Sequence, residues 1–173
     1  MDILVIGGGG MVGVKLINRL AAEGRLGGKP IGKIIRQDVV LAPPPPASSF
    51  PIETLIGDLS SPGEAEKLVA LKPDVIFHLA AIVSGEAEAD FEKGYRINLD
   101  GTRYLFEAIR KLGGGYKPKV IFTSSIAVFG APFPEAINDE FFTTPLTSYG
   151  TQKAICELLL SDYSRRGFFD GVG

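Results

Sequence analysis

The sequence has one cysteine, Cys156, and one histidine, His78. A single cysteine excludes an internal disulfide and a multi-cysteine zinc site, and a single histidine argues against a histidine-built metal centre, so no metal is expected. Basic excess is missing too. Eighteen lysines and arginines stand against 20 acidic residues, a formal charge of −2, which offers no electrostatic footprint for nucleic acid or anionic lipid. No uninterrupted apolar stretch approaches the length of about 18 residues that a membrane span needs. Met1-Asp2 runs straight into a strand-like segment, without a basic leader or cleavage site. These absences point to a cytoplasmic protein with no nucleic-acid partner and no membrane partner. Glycine and proline, in contrast, are abundant at 22 and 12 of 173 residues, and they fall in punctuating clusters. With 45% hydrophobic and 22% charged residues, the chain has a globular balance and suits one domain with a real core.

Between the clusters, short β-branched runs alternate with longer amphipathic ones. Ile3-Leu4-Val5-Ile6 reads as a buried strand, followed by Gly7 to Gly10 and a helical pattern of Val12, Leu16, Ile17 and Leu20. Ile34 to Leu41 reads as a second strand, stopped by Pro43 to Pro46, a stiff surface connection. Thr54 to Ile56 is a short third strand. Ser61-Pro62-Gly63-Glu64 then reads as a helix start, with Ser61 as cap and Glu64 at the capping-box position. Val75 to Leu79 and Lys119 to Thr123 are further strands. Glu88 to Leu112 reads as one long helix, and Tyr149 to Arg165 as a last one with Ala154, Ile155, Leu158 and Leu159 inward. This alternation predicts an α/β fold built from βαβ crossovers around a mostly parallel, doubly wound sheet, with helices on both faces.

Gly7, Gly8, Gly9, Gly10 and Gly13 sit where the first strand meets the first helix. A dinucleotide pyrophosphate needs close backbone approach and free amides at a helix start, which side chains would obstruct. Both G-x-G-x-x-G and G-x-x-G-x-x-G spacings are satisfied, so spacing alone does not choose between them; the bland alternative is a tight turn with no ligand. Asp38, near the end of the second strand, is the candidate acceptor for the adenosine ribose hydroxyls. A carboxylate there repels the extra phosphate of NADP and favours NAD, while Arg36 nearby keeps NADP as the minority option. Asp58, after the third strand, has the position to meet the adenine amino group; a turn or capping aspartate is the alternative.

Tyr149 and Lys153 are four residues apart, on one face if their segment is helical. A phenol, which ionises near pH 10, is a poor base at pH 7, but a fixed positive charge close by favours the phenolate. Tyr149 could then take a proton from a substrate hydroxyl. The pair gains weight from Thr123-Ser124-Ser125 at the carboxyl end of a strand, where ligands of open α/β sheets bind.

At this point the whole chain resembles the amino-terminal part of an extended short-chain dehydrogenase/reductase, the family of NAD-dependent sugar epimerases and dehydratases. The resemblance rests on Val5 to Gly13, Asp58-Leu59, His78-Leu79-Ala80-Ala81, Asn98 to Thr102, Thr123 to Gly130 and Tyr149 to Lys153. It implies a Rossmann-like dinucleotide-binding domain over residues 1–173, with Gly7, Gly10, Met11, Val12 and Gly13 at the pyrophosphate. Asp38, Asp58, Leu59, Leu79, Ala80, Ala81, Asn98, Tyr149 and Lys153 complete the cofactor set, with Asn98 bracing the active-site backbone. Tyr149 would be the general base or acid, Lys153 would hold the nicotinamide ribose, and Ser125 would polarise the substrate oxygen beside Ser124 and Ser84. His78 reads as a structural residue at a strand end.

The family's sugar dehydratases carry an Asp-Glu pair after the active-site serine or threonine. Ile126-Ala127 stands there in this chain, which sets dehydration aside. The wording of Phe122 to Gly130, Thr147 to Ala154 and Val83 to Glu88 is similar to the D-erythronate dehydrogenase subgroup, as is the extended loop before the second strand. That subgroup oxidises the C2 hydroxyl of a four-carbon sugar acid with NAD; a UDP-sugar epimerase, or a dinucleotide-binding module without turnover, is the rival. Extended members commonly exceed 300 residues. The expectation is therefore a domain truncated before the last strands and the substrate domain, either a fragment or a subunit needing another chain. The strand Lys119–Thr123 is expected to lack its outer neighbour. Apolar residues of 88–112 permit a homodimer through a four-helix bundle, and core packing explains them equally well.

Overall fold

Ile3, Leu4, Val5 and Ile6 have no exposed surface, because alternate side chains of this strand enter two different cores. Leu4 and Ile6 pack with Ile35, Ile76, Val120 and Phe122 on one face of a sheet; Ile3 and Val5 pack with Ile17, Leu20, Ile34 and Val75 on the other. Burying each such side chain contributes roughly 1.5–3 kcal/mol, so the strand anchors the fold. The computed structural model describes residues 1–173, and no helix in it is long and apolar enough to cross a membrane.

In chain order the elements begin with β1 (Asp2–Ile6), α1 (Met11–Glu23), the short hairpin β2 (Arg25–Leu26) and β3 (Lys29–Pro30), β4 (Lys33–Asp38) and β5 (Ile52–Ile56). They continue through α2 (Glu64–Ala70), β6 (Val75–His78), α3 (Ser84–Ala89), α4 (Phe91–Gly94), a π-helical turn (Tyr95–Asp100) and α5 (Gly101–Leu112). The last are β7 (Lys119–Phe122), a 3-10 turn (Ile126–Val128), α6 (Ser148–Arg165) and β8 (Asp170–Val172). Six strands form one sheet in the order β5-β4-β1-β6-β7-β8, and every neighbouring pair in it is parallel. Helices α2, α5 and α6 cover one face and α1 the other. The chain leaves β1 toward β4 and β5, then returns to the other side for β6. This reversal opens a crevice at the carboxyl ends of β1 and β6, the place where such sheets bind ligands.

The structure corrects several sequence-based boundaries. β7 has an outer neighbour after all: Lys119, Val120 and Ile121 pair with Asp170, Gly171 and Val172. Three residues containing a glycine are too short a run to read as a strand from pattern alone. The second strand stops at Asp38, whose Oδ1 accepts from the amides of Val39 at 2.7 Å and Val40 at 3.4 Å and folds the chain out of the sheet. The expected helix over 88–112 begins only at Phe91, because the Asp90 side chain accepts from Lys93 N at 3.0 Å and caps a new start. Ser61 caps nothing through its side chain: α2 starts after Gly63, at φ 83°, and the Glu64 amide meets the Ser61 carbonyl instead. On α6 the buried residues are Gly150, Gln152, Lys153, Ala154, Cys156 and Leu160, with Leu159 packed half-buried against the core, while Leu158 is 70% exposed.

Candidate active site

The chain leaves β1 through Gly7, at φ 83°. A Cβ there would lie 2.6 Å from the Ala80 nitrogen, so only glycine lets the ends of β1 and β6 come this close. The Gly7 and Gly8 amides both donate to the Gln37 carbonyl, at 2.9 and 3.0 Å, and the Gly9 amide donates to Asp38 Oδ2 at 2.8 Å. Gly10 precedes α1 and caps it with no side chain. The first-turn amides, those of Met11 and Val12 among them, therefore have no intrahelical acceptor and point the positive end of the helix dipole outward. Gly13 lies beneath the loop, where a Cβ would sit 2.3 Å from the Gly7 carbonyl oxygen. An uncapped helix start beside open backbone is suited to a diphosphate.

A cleft of about 270 Å³ lies against this loop. Gly7, Gly10, Asp38, Asp58, Leu59, Leu79, Ala80 and Ala81 line it. Met11, Val12, Gly13, Asn98, Tyr149 and Lys153 do not; Met11 and Val12 are instead exposed on the first turn of α1. Val39, Val40, Ile82 and Ile97 supply apolar walls that sequence reasoning missed. Their signal was weak: Val39 and Val40 read as strand, and Ile97 as one more apolar position of a helix.

Asp58 accepts from the Ser60 amide at 2.9 Å, the Ser60 hydroxyl at 2.6 Å and Arg96 Nη1 at 3.0 Å. Partial burial pushes its carboxyl up, but these donors outweigh it and hold the group below the usual carboxylate range. Asp58 thus makes an aspartate turn with Ser60 and faces the cleft as well. Arg36, the residue that kept NADP in play, is 4% exposed. Its Nη1 donates to the Pro43 carbonyl at 2.8 Å and its Nη2 to Thr54 Oγ1 at 2.9 Å, so the guanidinium is engaged within the chain and absent from the cleft lining.

The second half of the site forms where β7 ends. Ser125 opens the 3-10 turn, its Oγ accepting from the Ala127 amide at 3.2 Å. α6 starts beside that turn, with Thr147 Oγ1 accepting from the Gly150 amide at 3.0 Å. A Cβ on Gly150 would lie 2.1 Å from the Ala127 carbonyl oxygen, so the turn of helix carrying Tyr149 rests directly on the turn that follows Ser125. One helical turn later Lys153, only 2% exposed, donates from Nζ to the Thr123 carbonyl at 2.9 Å. The same Nζ lies 4.6 Å from the centre of the Phe122 ring and 5.9 Å from that of Tyr149. Burial pushes the Lys153 ammonium down to about 8, against the opposing pull of Cys156 and Glu157. The structure therefore holds Lys153 beside Tyr149 at the end of β7 and rests their helix on the turn that Ser125 opens. The Ser124 hydroxyl is engaged elsewhere, donating to the Glu157 carboxylate on α6. Ser84 opens α3, which packs on α6.

Asn98 ties the two halves together from the π-helical turn. Its Oδ1 accepts from the Ile82 amide at 2.9 Å, and its Nδ2 donates to the Ile82 carbonyl at 3.2 Å and to Gln152 Oε1 at 2.8 Å. His78, at the end of β6, is buried with Nε2 2.8 Å from Thr102 Oγ1. The Thr102 hydroxyl donates to the Asn98 carbonyl at 2.7 Å, which leaves its oxygen to accept from the imidazole. Burial first, and the charge of Lys153 second, push the imidazole down to about 3.

The family model described as "NAD dependent epimerase/dehydratase family" matches residues 3–173. A D-erythronate dehydrogenase of Cupriavidus necator is 45% identical over 175 residues, covering 99% of this chain and 53% of that protein. A D-erythronate dehydrogenase of Haemophilus influenzae is 41% identical over 172 residues, again covering 99% of this chain and 53% of the relative. Among solved structures, a nucleoside-diphosphate-sugar epimerase from Agrobacterium tumefaciens superposes with a TM-score of 0.97 at 69% identity, covering 100% of this chain and 51% of that one. The chain spans about half the length of the curated relatives it matches.

Proposed function

This chain belongs to the NAD dependent epimerase/dehydratase family, and we propose that the protein carrying it is an NAD-dependent dehydrogenase. Its substrate is a sugar acid such as D-erythronate, oxidised at the C2 hydroxyl to the 2-oxo acid. The observation that carries the reading is the packing of α6 on the end of β7, which sets Lys153 against the Thr123 carbonyl and rests the turn carrying Tyr149 on the turn that Ser125 opens. The residues present fit the cofactor: an uncapped helix start for the diphosphate, and the Asp38 carboxylate on the cleft wall for ribose hydroxyls. That carboxylate also disfavours a 2′-phosphate, and Arg36 is turned to internal partners, so NAD is preferred to NADP.

NAD, when bound, supplies the acceptor for the hydride leaving C2. The remaining work falls to side chains of this chain. Ser125 Oγ holds the C2 oxygen by a hydrogen bond, fixing it against Tyr149. Tyr149, as the general base, takes the hydroxyl proton at Oη while the carbon–oxygen bond becomes a carbonyl. Lys153 sets its buried ammonium, still mostly charged at pH 7, one helical turn from Tyr149, and would hold the nicotinamide ribose. The two D-erythronate dehydrogenase relatives support the sugar-acid substrate.

A second reading, epimerisation of a nucleotide sugar, has one observation in its favour: the solved relative at 69% identity bears the name of a nucleoside-diphosphate-sugar epimerase. The two differ in cofactor balance. Purified protein mixed with NAD and D-erythronate is expected to accumulate reduced nicotinamide, read by its absorbance. Isomer exchange of a UDP-sugar with no net reduction, and no reaction with the acid, would favour the epimerase.

A further inference from the structure

We infer that Gln152 is a positioning residue that locks the Tyr149/Lys153 helix to the wall of the cofactor cleft; this rests on the proposed NAD site. Gln152 lies inside the Tyr149–Lys153 turn, yet has no exposed surface. Its polar contact is with Asn98, whose Nδ2 donates to Gln152 Oε1 at 2.8 Å. Asn98 in turn clamps both the amide and the carbonyl of Ile82, a residue of the cleft wall. The result is a continuous hydrogen-bonded line from the proton-transfer helix, through the π-helical turn, to the loop beside the dinucleotide.

The other end of the Gln152 amide sharpens the case. Nε2 is buried without any partner and presses on Gly94, where a Cβ would lie 2.8 Å from it. An unpaired buried donor is costly, and methionine would fill a similar volume without carrying one. Packing alone therefore does not explain a glutamine here. Its acceptor oxygen does, because without it Asn98 Nδ2 loses the partner that holds the amide in the orientation Ile82 requires.

The test is a thermodynamic cycle in NAD affinity, measured by calorimetry on the protein carrying this chain, with Gln152→Met, Asn98→Ala and the double variant. Gln152→Met is expected to raise the NAD Kd about five- to ten-fold, the factor one buried hydrogen bond commands. In the Asn98→Ala background the same change is expected to move Kd by less than about two-fold, since the link is already cut. The Ile82 amide is expected to exchange faster in Gln152→Met, and Gln152→Leu serves where methionine does not fold. Wild-type affinity in Gln152→Met, an equal loss in both backgrounds, or unchanged Ile82 exchange would overturn the inference. Failure of the unmodified protein to bind NAD would instead overturn the site on which the inference is built.

Discussion

Lys153 has its aliphatic stem buried and its ammonium bonded to the Thr123 carbonyl, so its position is set by the end of β7 rather than by solvent. Tyr149, one turn earlier, is the residue whose loss is most specific. Tyr149→Phe keeps the ring beside Lys153 and removes only the hydroxyl. Turnover is expected to fall at least about 10²-fold, with the NAD Kd held within about two-fold by titration. Retained turnover would remove Tyr149 from proton transfer. His78 carries a different kind of consequence. Its imidazole is held neutral at about 3, while in an unfolded chain it titrates near about 6.5. Below that value the unfolded chain takes up a proton that the folded one refuses, so stability is full above pH 6.5 and is lost as pH falls toward 3. The loss is at most about 1.4 kcal/mol per pH unit across that window. Melting temperatures between pH 7 and pH 5 are expected to fall more steeply for the unmodified chain than for His78→Asn; parallel slopes would contradict this.

The contact between α6 and the 3-10 turn is the element-level counterpart of the site. Gly150 has ordinary helical neighbours, and its need for glycine comes from the Ala127 carbonyl and not from its own backbone angles. Gly150→Ala is expected to lower stability by about 1–3 kcal/mol through overpacking and to depress turnover more than NAD affinity. Chemical denaturation and steady-state kinetics together check both parts, and an alanine variant as stable and active as the original would refute the close contact. This glycine was visible in the sequence only as part of a motif, because nothing local shows what faces a helix. The same reason hid the inward turn of Gln152 and the outward turn of Leu158. α6 is buried along a stripe set by tertiary neighbours, and its apolar residues alone do not reveal that stripe. Asp90 and Asp38 each end or start an element through their own side-chain hydrogen bonds, local chemistry that hydrophobic periodicity does not register.

At the scale of the whole molecule, the parallel sheet and glycine loop were legible, because burial on both faces writes continuous apolar runs such as Ile3 to Ile6 into the sequence. The order of the strands around β1 follows from short connections and parallel crossovers. The strand β8 was not legible; Asp170-Gly171-Val172 gains strand character only from pairing with β7. The cleft and the helical turn carrying Tyr149 and Lys153 lie at the carboxyl ends of neighbouring strands, bridged by Asn98 through Ile82 and Gln152. In the proposed function, that arrangement lets one bound dinucleotide and one proton acceptor meet at a single carbon. The most direct measurement follows the hydrogen on that carbon, using D-erythronate deuterated at C2, NAD and the purified protein. We expect one deuterium in the reduced nicotinamide for each 2-oxo acid formed, with transfer abolished in Tyr149→Phe. Deuterium retained on the sugar carbon, or released to water without cofactor reduction, would contradict the assignment.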